Sequence, residues 1–256
     1  MVFLDKIFNP VLQPLLNISP FLTLVVLALI ISLLITLVYK FFTNQGKMKE
    51  MKEKQKDYQK RMKELRTNPE EMMKVQKEAM KVNMEYMKMS FKPTLITMIP
   101  ILLIFGWMAA HLSYEPLLPG QTYTITAMFD ENVVSAELVT SENLQLISES
   151  NQSVENHKVA WSFKSKVQGE HTLTVRTAND ELEKTIIITT DQTYLEPTEP
   201  AKPRDLEIKQ VVVNHNKLMP LKNAGIPWLS SWGWLGWYIL LSLVFSMSLR
   251  KALKIY

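Results

Sequence analysis

The sequence contains no cysteine, only 7 glycines and only 4 histidines. Without cysteine the chain cannot form disulfides, cysteine metal sites or thiol nucleophiles. So few glycines leave no Gly-rich phosphate loop, and His111, His157, His171 and His215 have no metal-ligand spacing and no Ser-His-Asp order. We therefore predict that the protein is not an enzyme and has no catalytic residue, metal or cofactor. It would act through shape, polarity and binding.

Charge is also absent from three long apolar runs, of which the first is "FLTLVVLALIISLLITLVY". About 20 apolar residues in a helix span the ~30 Å hydrocarbon core of a bilayer. The runs predict three transmembrane helices at residues 20–41, 93–114 and 226–249. A cleaved signal peptide fits the first run poorly, because it lacks a basic leader and a small-residue cleavage site.

The charges of the loops predict the orientation of these spans. Residues 40–92 contain 15 Lys and Arg against 8 Asp and Glu, whereas residues 111–232 contain 10 against 16. Cationic loops stay cytoplasmic. We therefore predict a multi-pass protein of the cell (plasma) membrane with its N-terminus outside and a cytoplasmic tail at residues 250–256. Residues 1–19 have apolar side chains at helical spacing and predict an amphipathic segment at the membrane interface, broken or kinked by Pro10 and Pro14.

Residues 42–92 predict a cytoplasmic antiparallel coiled-coil hairpin. Asn68 is a suitable N-cap and Pro69 suits the first helical position, so a second helix should begin there. Each helix has a three-four repeat typical of a coiled-coil seam. The predicted seams are Met48, Met51, Gln55, Tyr58, Met62 and Leu65 in the first helix, and Met73, Gln76, Met80, Met84, Met87 and Phe91 in the second.

Most of the chain's 15 methionines lie in this hairpin. Methionine is typical of adaptable apolar surfaces, whereas seams that only pair with themselves favour Leu, Ile or Val. The accompanying lysines favour phosphate-rich partners such as ribosomal RNA or lipid headgroups. A purely structural coiled coil and plain contact with the membrane surface stay open as alternatives.

The extracellular segment predicts an all-β domain. Short runs rich in Val, Ile, Thr and aromatic residues recur about every ten residues between turn signals. Residues 119–190 therefore predict an immunoglobulin-like β-sandwich. Residues 191–225 read as a linker in which "LEIKQVVVNH" is either a last strand or an extended return to the membrane. Asn151, in "NQS", is a candidate N-glycosylation acceptor.

Hydroxyl side chains interrupt the apolar runs at one-turn spacing. They are Ser32 and Thr36 in the first, Thr94 and Thr97 in the second, and Ser242 and Ser246 in the third. Such hydroxyls can line a weakly polar groove. They can also bond to the backbone of their own helix or pack between helices, which the pattern alone favours, and both interpretations stay open.

The first span, the basic hairpin "MKEKQKDYQKRMKELRTNPEEMMKVQKEAMKVNMEYMKMSFKPTLITMIP" and the late span "GWLGWYILLSLVFSMSLRKALK" together resemble archaeal YidC-like proteins. These proteins belong to the Oxa/YidC/Alb superfamily of membrane-protein insertases, which includes the third subunit of the ER membrane protein complex. The resemblance implies a groove open to the cytoplasm and a hairpin that receives the client. It implies groove candidates Ser32, Thr36, Thr97, Ser242 and Ser246, and client-contact candidates Met73, Met80, Met84 and Met87.

The partners implied by the resemblance are nascent membrane proteins, the ribosome, the lipid bilayer and other membrane-protein biogenesis factors, with no DNA. Bacterial relatives carry an arginine inside the groove, whereas the three apolar runs here contain no Lys, Arg, Asp or Glu. The extracellular sandwich is also larger than in minimal archaeal members. The main alternative is a structural or adaptor membrane protein, with an outer ligand-binding β domain and a coiled coil for a protein partner. A channel subunit is a third alternative.

Overall fold

The computed structural model describes residues 2–202, 206–222, 225 and 227–255. It contains two compact units. The β unit comprises Met1–Pro20 and Trp107–Trp234, and the helical unit comprises Phe21–Gly106 and Leu235–Tyr256.

The helices follow the apolar runs and the basic segment between the first two runs. Asn44 begins one helix by accepting a hydrogen bond from the Lys47 amide at 3.0 Å, and Asn68 begins the next by accepting from the Glu71 amide at 3.4 Å. The cap predicted at Asn68 is therefore confirmed. The helices are α1 (Val2–Ile18), α2 (Pro20–Phe42), α3 (Gln45–Glu64), α4 (Pro69–Leu112), α5 (Pro227–Ser230) and α6 (Trp234–Ala252), with a 3₁₀ turn at Leu65–Thr67.

Two helices of the described residues, α2 and α4, are long and apolar enough to cross a membrane. With 44 residues, α4 is about 66 Å long, roughly twice the hydrocarbon thickness, so only part of it can lie within a bilayer. The third predicted span is divided. Ile226 lies outside the described residues, α5 ends at Ser230, and α6 begins only at Trp234 after Gly233. Because α6 ends with Arg250 and Lys251, its apolar portion is shorter than predicted.

Within the described part of the β unit, nine strands form two antiparallel sheets. One sheet has the order β3-β5-β1-β9-β8 and the other the order β4-β2-β6-β7. The strands are β1 (Thr122–Phe129), β2 (Ser135–Thr140), β3 (Gln145–Leu146), β4 (Asn151–Ser153), β5 (Lys158–Lys164), β6 (Gly169–Arg176), β7 (Glu181–Ile188), β8 (Thr198–Pro200) and β9 (Ile208–Val213).

The β domain extends beyond the predicted boundary at residue 190. Strand β9 pairs with β1, with Ile125 opposite Val213, and its Ile208, Val211 and Val213 are buried in the core. The triple valine favours a strand because β-branched side chains pack well on a pleated surface. Of the two interpretations left open for "LEIKQVVVNH", the last strand is confirmed.

The inner faces of both sheets share one hydrophobic core. Alternate residues of the longer strands, such as β1 and β5, are buried, as the period of two requires. Trp161 is fully buried, and its indole N–H donates to the Ser150 carbonyl at 2.8 Å. The other large core side chains include Ile125, Leu138, Phe163, Leu173, Val175 and Ile188.

Strand β7 is a long edge strand that carries a buried lysine. Lys184 is only 3% exposed, and its ammonium group donates to the Glu196 carbonyl and lies 3.7 Å from the Glu199 carboxylate. Burial lowers the pKa of Lys184, because the charged form loses its hydration, and the two glutamates oppose this shift.

His215 follows β9 and lies in an aromatic cluster. Its Nδ1 donates to the Glu115 carbonyl at 3.0 Å, and its ring lies 5.8 Å from that of Tyr194 and 5.9 Å from that of Tyr114. Burial lowers the pKa of His215, and the positive charge of Lys184 lowers it further, against the hydrogen bond to Glu115.

Removing the Trp161 side chain should destabilise the β unit. Trp161→Ala leaves a large cavity and removes one of the two hydrogen bonds to the Ser150 carbonyl, which still accepts from the Leu138 amide. The cavity should lower the free energy of unfolding by about 3–5 kcal/mol. Hydrogen exchange of the β1, β5 and β9 amides in the full chain would report the loss. Trp228→Ala is the matched control, because Trp228 is 64% exposed and its loss should cost less than about 0.5 kcal/mol. Equal protection in both variants would contradict the assignment of Trp161 to the core.

The β unit should also lose stability in mild acid through His215. Below about pH 6.5 the unfolded chain binds a proton that the folded chain still excludes, so the free energy of unfolding falls as the pH drops toward the folded pKa. His215→Asn keeps an N–H for the Glu115 carbonyl and should reduce this fall, measured as the change in thermal midpoint between about pH 7.5 and pH 5. His157→Asn, in an exposed turn with positive φ, should leave the fall unchanged. Identical pH profiles for wild type and His215→Asn would refute this role.

Candidate functional site

Within the helical unit, α3 and α4 meet through polar and apolar side chains. Gln55 of α3 donates to the Asn83 side chain of α4 at 2.7 Å. Met48 and Met51 are buried at two of the predicted α3 seam positions. The remaining predicted seam residues of α3, from Gln55 to Leu65, are partly buried at three-four spacing.

The seam predicted for α4 is wrong. Val75 and Ala79 are the buried residues, and Val82 and Tyr86 continue the same stripe as partly buried positions. Two stripes on α4 have three-four spacing, and the one that packs has the small and β-branched side chains, which allow closer contact. Periodicity alone could not choose between the two stripes.

The other stripe is the methionine face, which consists of Met73, Met80, Met84, Met87 and Phe91. These five side chains are between 53% and 63% exposed. At 3.6 residues per turn they lie on the side of α4 opposite Val75 and Ala79. A monomeric soluble helix rarely leaves such a continuous apolar stripe uncovered, so the methionine face has the character of a binding surface.

A shallow depression of about 510 Å³ lies on the methionine face. Met80 and Met84 form its apolar floor, and Lys77, Lys81 and Lys88 surround them with a single carboxylate, that of Glu85. A flexible apolar floor with a cationic rim suits segments that are apolar and carry phosphate or carboxylate groups.

The hydroxyls of the apolar helices are mostly bonded within their own helix. Thr36 donates to the Ser32 carbonyl at 2.6 Å, Thr97 to the Pro93 carbonyl at 3.1 Å and Ser242 to the Ile239 carbonyl at 3.0 Å. Ser32, Thr36 and Thr97 are buried, whereas Ser242 and Ser246 are partly buried. These hydroxyls therefore bond to the backbone of their own helix, which was one of the two interpretations that the sequence left open.

One hydroxyl joins two helices. The Ser32 hydroxyl of α2 donates to the Ser242 carbonyl of α6 at 3.4 Å, which is a long and therefore weak hydrogen bond. Helix α6 also packs through aromatic rings, with Phe21 and Trp237 5.2 Å apart and Phe105 and Tyr238 4.7 Å apart. The structure thus brings together Ser32, Thr36 and Ser242, with Ser246 one turn further along α6.

Sequence reasoning missed a second point of contact, at Tyr39. Its hydroxyl lies 3.1 Å from the Thr94 hydroxyl of α4, and the Arg250 guanidinium of α6 lies 5.4 Å from the centroid of its ring. A guanidinium over an aromatic face is attracted by the ring quadrupole. The positions of Tyr39 and Arg250 in the sequence could have predicted this contact. Both lie at the basic ends of apolar runs, and the charge rule places those ends on the same side of the membrane.

Hydroxyls also surround the proline at the start of the apolar part of α4. Pro93 lacks the N–H that would bond the Met89 carbonyl. Ser90 donates to the Tyr86 carbonyl at 3.0 Å and Thr94 to the Ser90 carbonyl at 2.8 Å, so side chains supply hydrogen bonds on both sides of the proline. Together with Thr97 they keep α4 helical where the basic segment gives way to the apolar one.

The histidines and Asn151 lie away from these contacts. In the described ranges, no three His, Asp, Glu or Cys side chains come close enough to hold a metal ion. Asn151 is exposed on the edge strand β4, opposite Glu137 of β2, and its glycosylation stays a prediction.

Comparison with known proteins identifies the family of the chain. The sequence model of one family, described as integral membrane protein EMC3/TMCO1-like, matches residues 6–142. No curated protein and no solved structure matches the chain, so the immunoglobulin-like type of the β domain stays a prediction from strand spacing. Because the match covers more than half of the sequence, the chain belongs to the EMC3/TMCO1-like family of integral membrane proteins, within the Oxa1/YidC/Alb3 insertase superfamily, and family membership implies a role in membrane-protein insertion or biogenesis.

Proposed function

We propose that this protein is an archaeal YidC-like insertase of the cell membrane, which eases the entry of nascent membrane-protein segments into the bilayer. In this proposal α2, the apolar part of α4 and α6 are its three transmembrane helices, with the N-terminus outside. The observation that carries the proposal is the methionine face, which α4 leaves exposed while it packs on α3 through its opposite side.

The methionine face would receive the client. Methionine side chains have three rotatable bonds and a polarizable sulfur, so one surface can pack against many different apolar segments. This property suits an insertase, because its clients share hydrophobicity and not sequence. The α3–α4 pair, as a cytoplasmic coiled-coil hairpin, would hold this face in front of the membrane.

The lysines around the methionine face would serve the ribosome. Residues 40–92 contain 15 Lys and Arg, and Lys77, Lys81 and Lys88 border the depression on α4. Contacts between lysine and the phosphates of ribosomal RNA would be long-ranged and sensitive to salt. They would keep the hairpin close to the point at which the client emerges, together with other membrane-protein biogenesis factors.

The hydroxyls of α2, α4 and α6 would line a groove open to the cytoplasm. The weak bond between the Ser32 hydroxyl and the Ser242 carbonyl supports this role, because a passing polar segment could replace it at little cost. Thr36, Thr97 and Ser246 would extend the polar path. A charge at the bilayer centre costs about 3 kcal/mol or more, so even a few polar partners on a shortened path would change the insertion rate without nucleotide hydrolysis.

Arg250 and Tyr39 give the proposed groove a cationic end. The apolar runs contain no Lys, Arg, Asp or Glu, so any attraction for acidic client segments would come from this end, where Arg250 lies over the Tyr39 ring. The attraction would be that of a partly solvated charge, weaker than that of an arginine within the membrane.

Substituting two methionines of the depression should weaken client capture. Met80→Ser combined with Met84→Ser removes apolar area that a bound segment would bury, which at about 1.5 kcal/mol or more per side chain predicts at least a ten-fold loss of affinity. The measurement is photocrosslinking from a probe at Met87 to a ribosome-bound nascent membrane protein, titrated with stalled complexes.

Glu78→Ser is the matched control, since Glu78 is exposed on α4 outside the methionine face and its loss should leave capture unchanged. If no probe on the methionine face captures nascent chains, and a single dedicated protein copurifies with the hairpin, the adaptor function would replace the insertase.

Removing one groove hydroxyl should slow insertion. Ser242→Ala deletes a hydroxyl beside the Ser32 contact, and the loss of one hydrogen bond of about 0.5–1.5 kcal/mol in the transition state predicts a two- to ten-fold slower insertion of a client with a polar translocated tail. The rate would be followed in proteoliposomes by protease protection of the tail.

Ser248→Ala tests the specificity of this effect. Ser248 also donates to a carbonyl of its own helix, that of Val244 at 2.8 Å, but it is exposed, so its loss should not alter the rate. Equal slowing by both substitutions would mean that helix stability and not groove polarity controls insertion.

A further inference from the structure

Helix α1 is fixed to the β unit along one side. Leu12 and Leu16 are buried, and Phe8 lies against the Trp107 ring at 6.3 Å. The Trp107 indole N–H donates to the Asn9 side chain at 2.7 Å. The first half of α1 is therefore held on the last turns of α4, despite Pro10 and Pro14, which the helix contains without a break.

Polar side chains fix the second half of α1 to the loop after β7. Gln13 donates to the Gln192 carbonyl at 3.1 Å, and the Gln192 amide donates to the Asn17 side chain at 3.1 Å. Gln192 in turn donates to the Tyr114 carbonyl at 2.8 Å. Each of these bonds joins a side-chain amide to a backbone group, and together they set the register between α1 and the loop after β7.

The remaining side of α1 is apolar and exposed. Phe3, Ile7, Val11 and Ile18 are between 51% and 75% exposed. They form a stripe along almost the whole helix, about 22 Å long. The predicted amphipathic stripe consisted of Leu4, Ile7, Phe8, Val11, Leu12 and Leu15. The structure divides it: Ile7 and Val11 belong to the exposed stripe, whereas the other four are buried or partly buried.

The position of α1 in the chain indicates what covers this stripe. Helix α1 ends at Ile18 and α2 begins at Pro20, while the N-terminal half of α1 packs on Trp107 and His111 at the far end of α4. Of the described residues, α2 and α4 are the two helices able to cross a membrane. The chain therefore connects one end of α1 to the start of one span, and the contacts with Trp107 and His111 hold the other end on the last turns of the other. A helix in that position lies along the membrane surface, where lipid is its neighbour.

The charge of α1 indicates the kind of lipid contact. Asp5 and Lys6 are its only charged residues, and the Asp5 carboxylate lies 3.5 Å from His111 Nε2. Without a cationic face, attraction to anionic headgroups cannot drive binding, so apolar burial must do so. The contact should therefore form on neutral, zwitterionic lipid and persist in high salt.

We propose that α1 is a lipid-bound strut: Phe3, Ile7, Val11 and Ile18 insert at the boundary between headgroups and acyl chains of the outer leaflet, while the opposite side of α1 holds the β unit at the membrane surface. This inference rests on the spans of the proposed function. It adds a membrane-binding surface that the groove and the hairpin do not require.

The absence of native cysteine allows a direct test in the full chain. Phe3→Cys and Val11→Cys would each be labelled with an environment-sensitive fluorophore and reconstituted in phosphatidylcholine nanodiscs. We expect strong quenching by lipids that carry a nitroxide near the headgroup, little quenching by aqueous iodide, and no change in high salt. Lys6→Cys, on the same helix, and Val134→Cys, exposed in the β unit, are matched controls that should show the reverse.

A label at Leu33, in the middle of α2, separates the two proposals. If Leu33→Cys is quenched by nitroxides deep in the acyl chains but Val11→Cys behaves like Val134→Cys, α2 spans the membrane as proposed but α1 does not bind lipid, and the strut is refuted. If Val11→Cys is shielded from both lipid nitroxides and iodide, a protein covers the stripe and the strut is again refuted. If Leu33→Cys is not quenched by lipid, α2 does not span and both proposals fail.

Discussion

The hydrogen-bond demand of the backbone in hydrocarbon governs the rest of this structure. A bilayer core offers no partners to N–H and C=O groups, so any chain that crosses it must satisfy them internally, and a helix is the simplest solution. The same demand explains the hydroxyls. Thr36, Thr97 and Ser242 donate to carbonyls of their own helices, and Ser90 and Thr94 supply hydrogen bonds next to Pro93, where the helix lacks an N–H. Polar groups are thus carried into an apolar environment in satisfied form.

A satisfied hydroxyl is compatible with a role in polar transport. Each of these groups has lone pairs left after it donates one hydrogen bond, and the bond between Ser32 and Ser242 is long. The cost of exchanging such a bond for one to a passing segment is small compared with the cost of an unpaired group in lipid. In the proposed cycle the same hydroxyls would bond to their own helix at rest and would line a polar groove when a client segment passes. The two interpretations that the sequence left open therefore describe two states of the same residues.

Sequence patterns predicted where the helices and strands lie better than they predicted which side of a helix packs against its neighbour. The apolar runs predicted α2 and the apolar part of α4, Asn68 and Pro69 marked the start of α4, and strand spacing predicted the sheets, because these features depend on local composition. The packed side of α4 could not be predicted, since Val75 and Ala79 share their period with the methionines and only the neighbouring helix selects between the stripes.

The placement of β9 in the core, and the contact of Tyr39 with Arg250, depend on residues far apart in sequence. Ile226 lies outside the described residues, and the rest of the third apolar run is divided between α5 and α6.

The buried Lys184 affects how the edge strand β7 can interact with other polypeptide chains. Edge strands such as β7 present free backbone groups to which any extended chain can add. Near an insertase, the extracytoplasmic side would contain newly delivered segments that have not yet folded. Lys184, which is buried at this edge and held by Glu196 and Glu199, is an inward-pointing charge of the kind by which natural sheets discourage the addition of a strand. The domain can therefore stand among unfolded chains without recruiting them into its sheet, so that a segment leaving the membrane remains free to find its own fold.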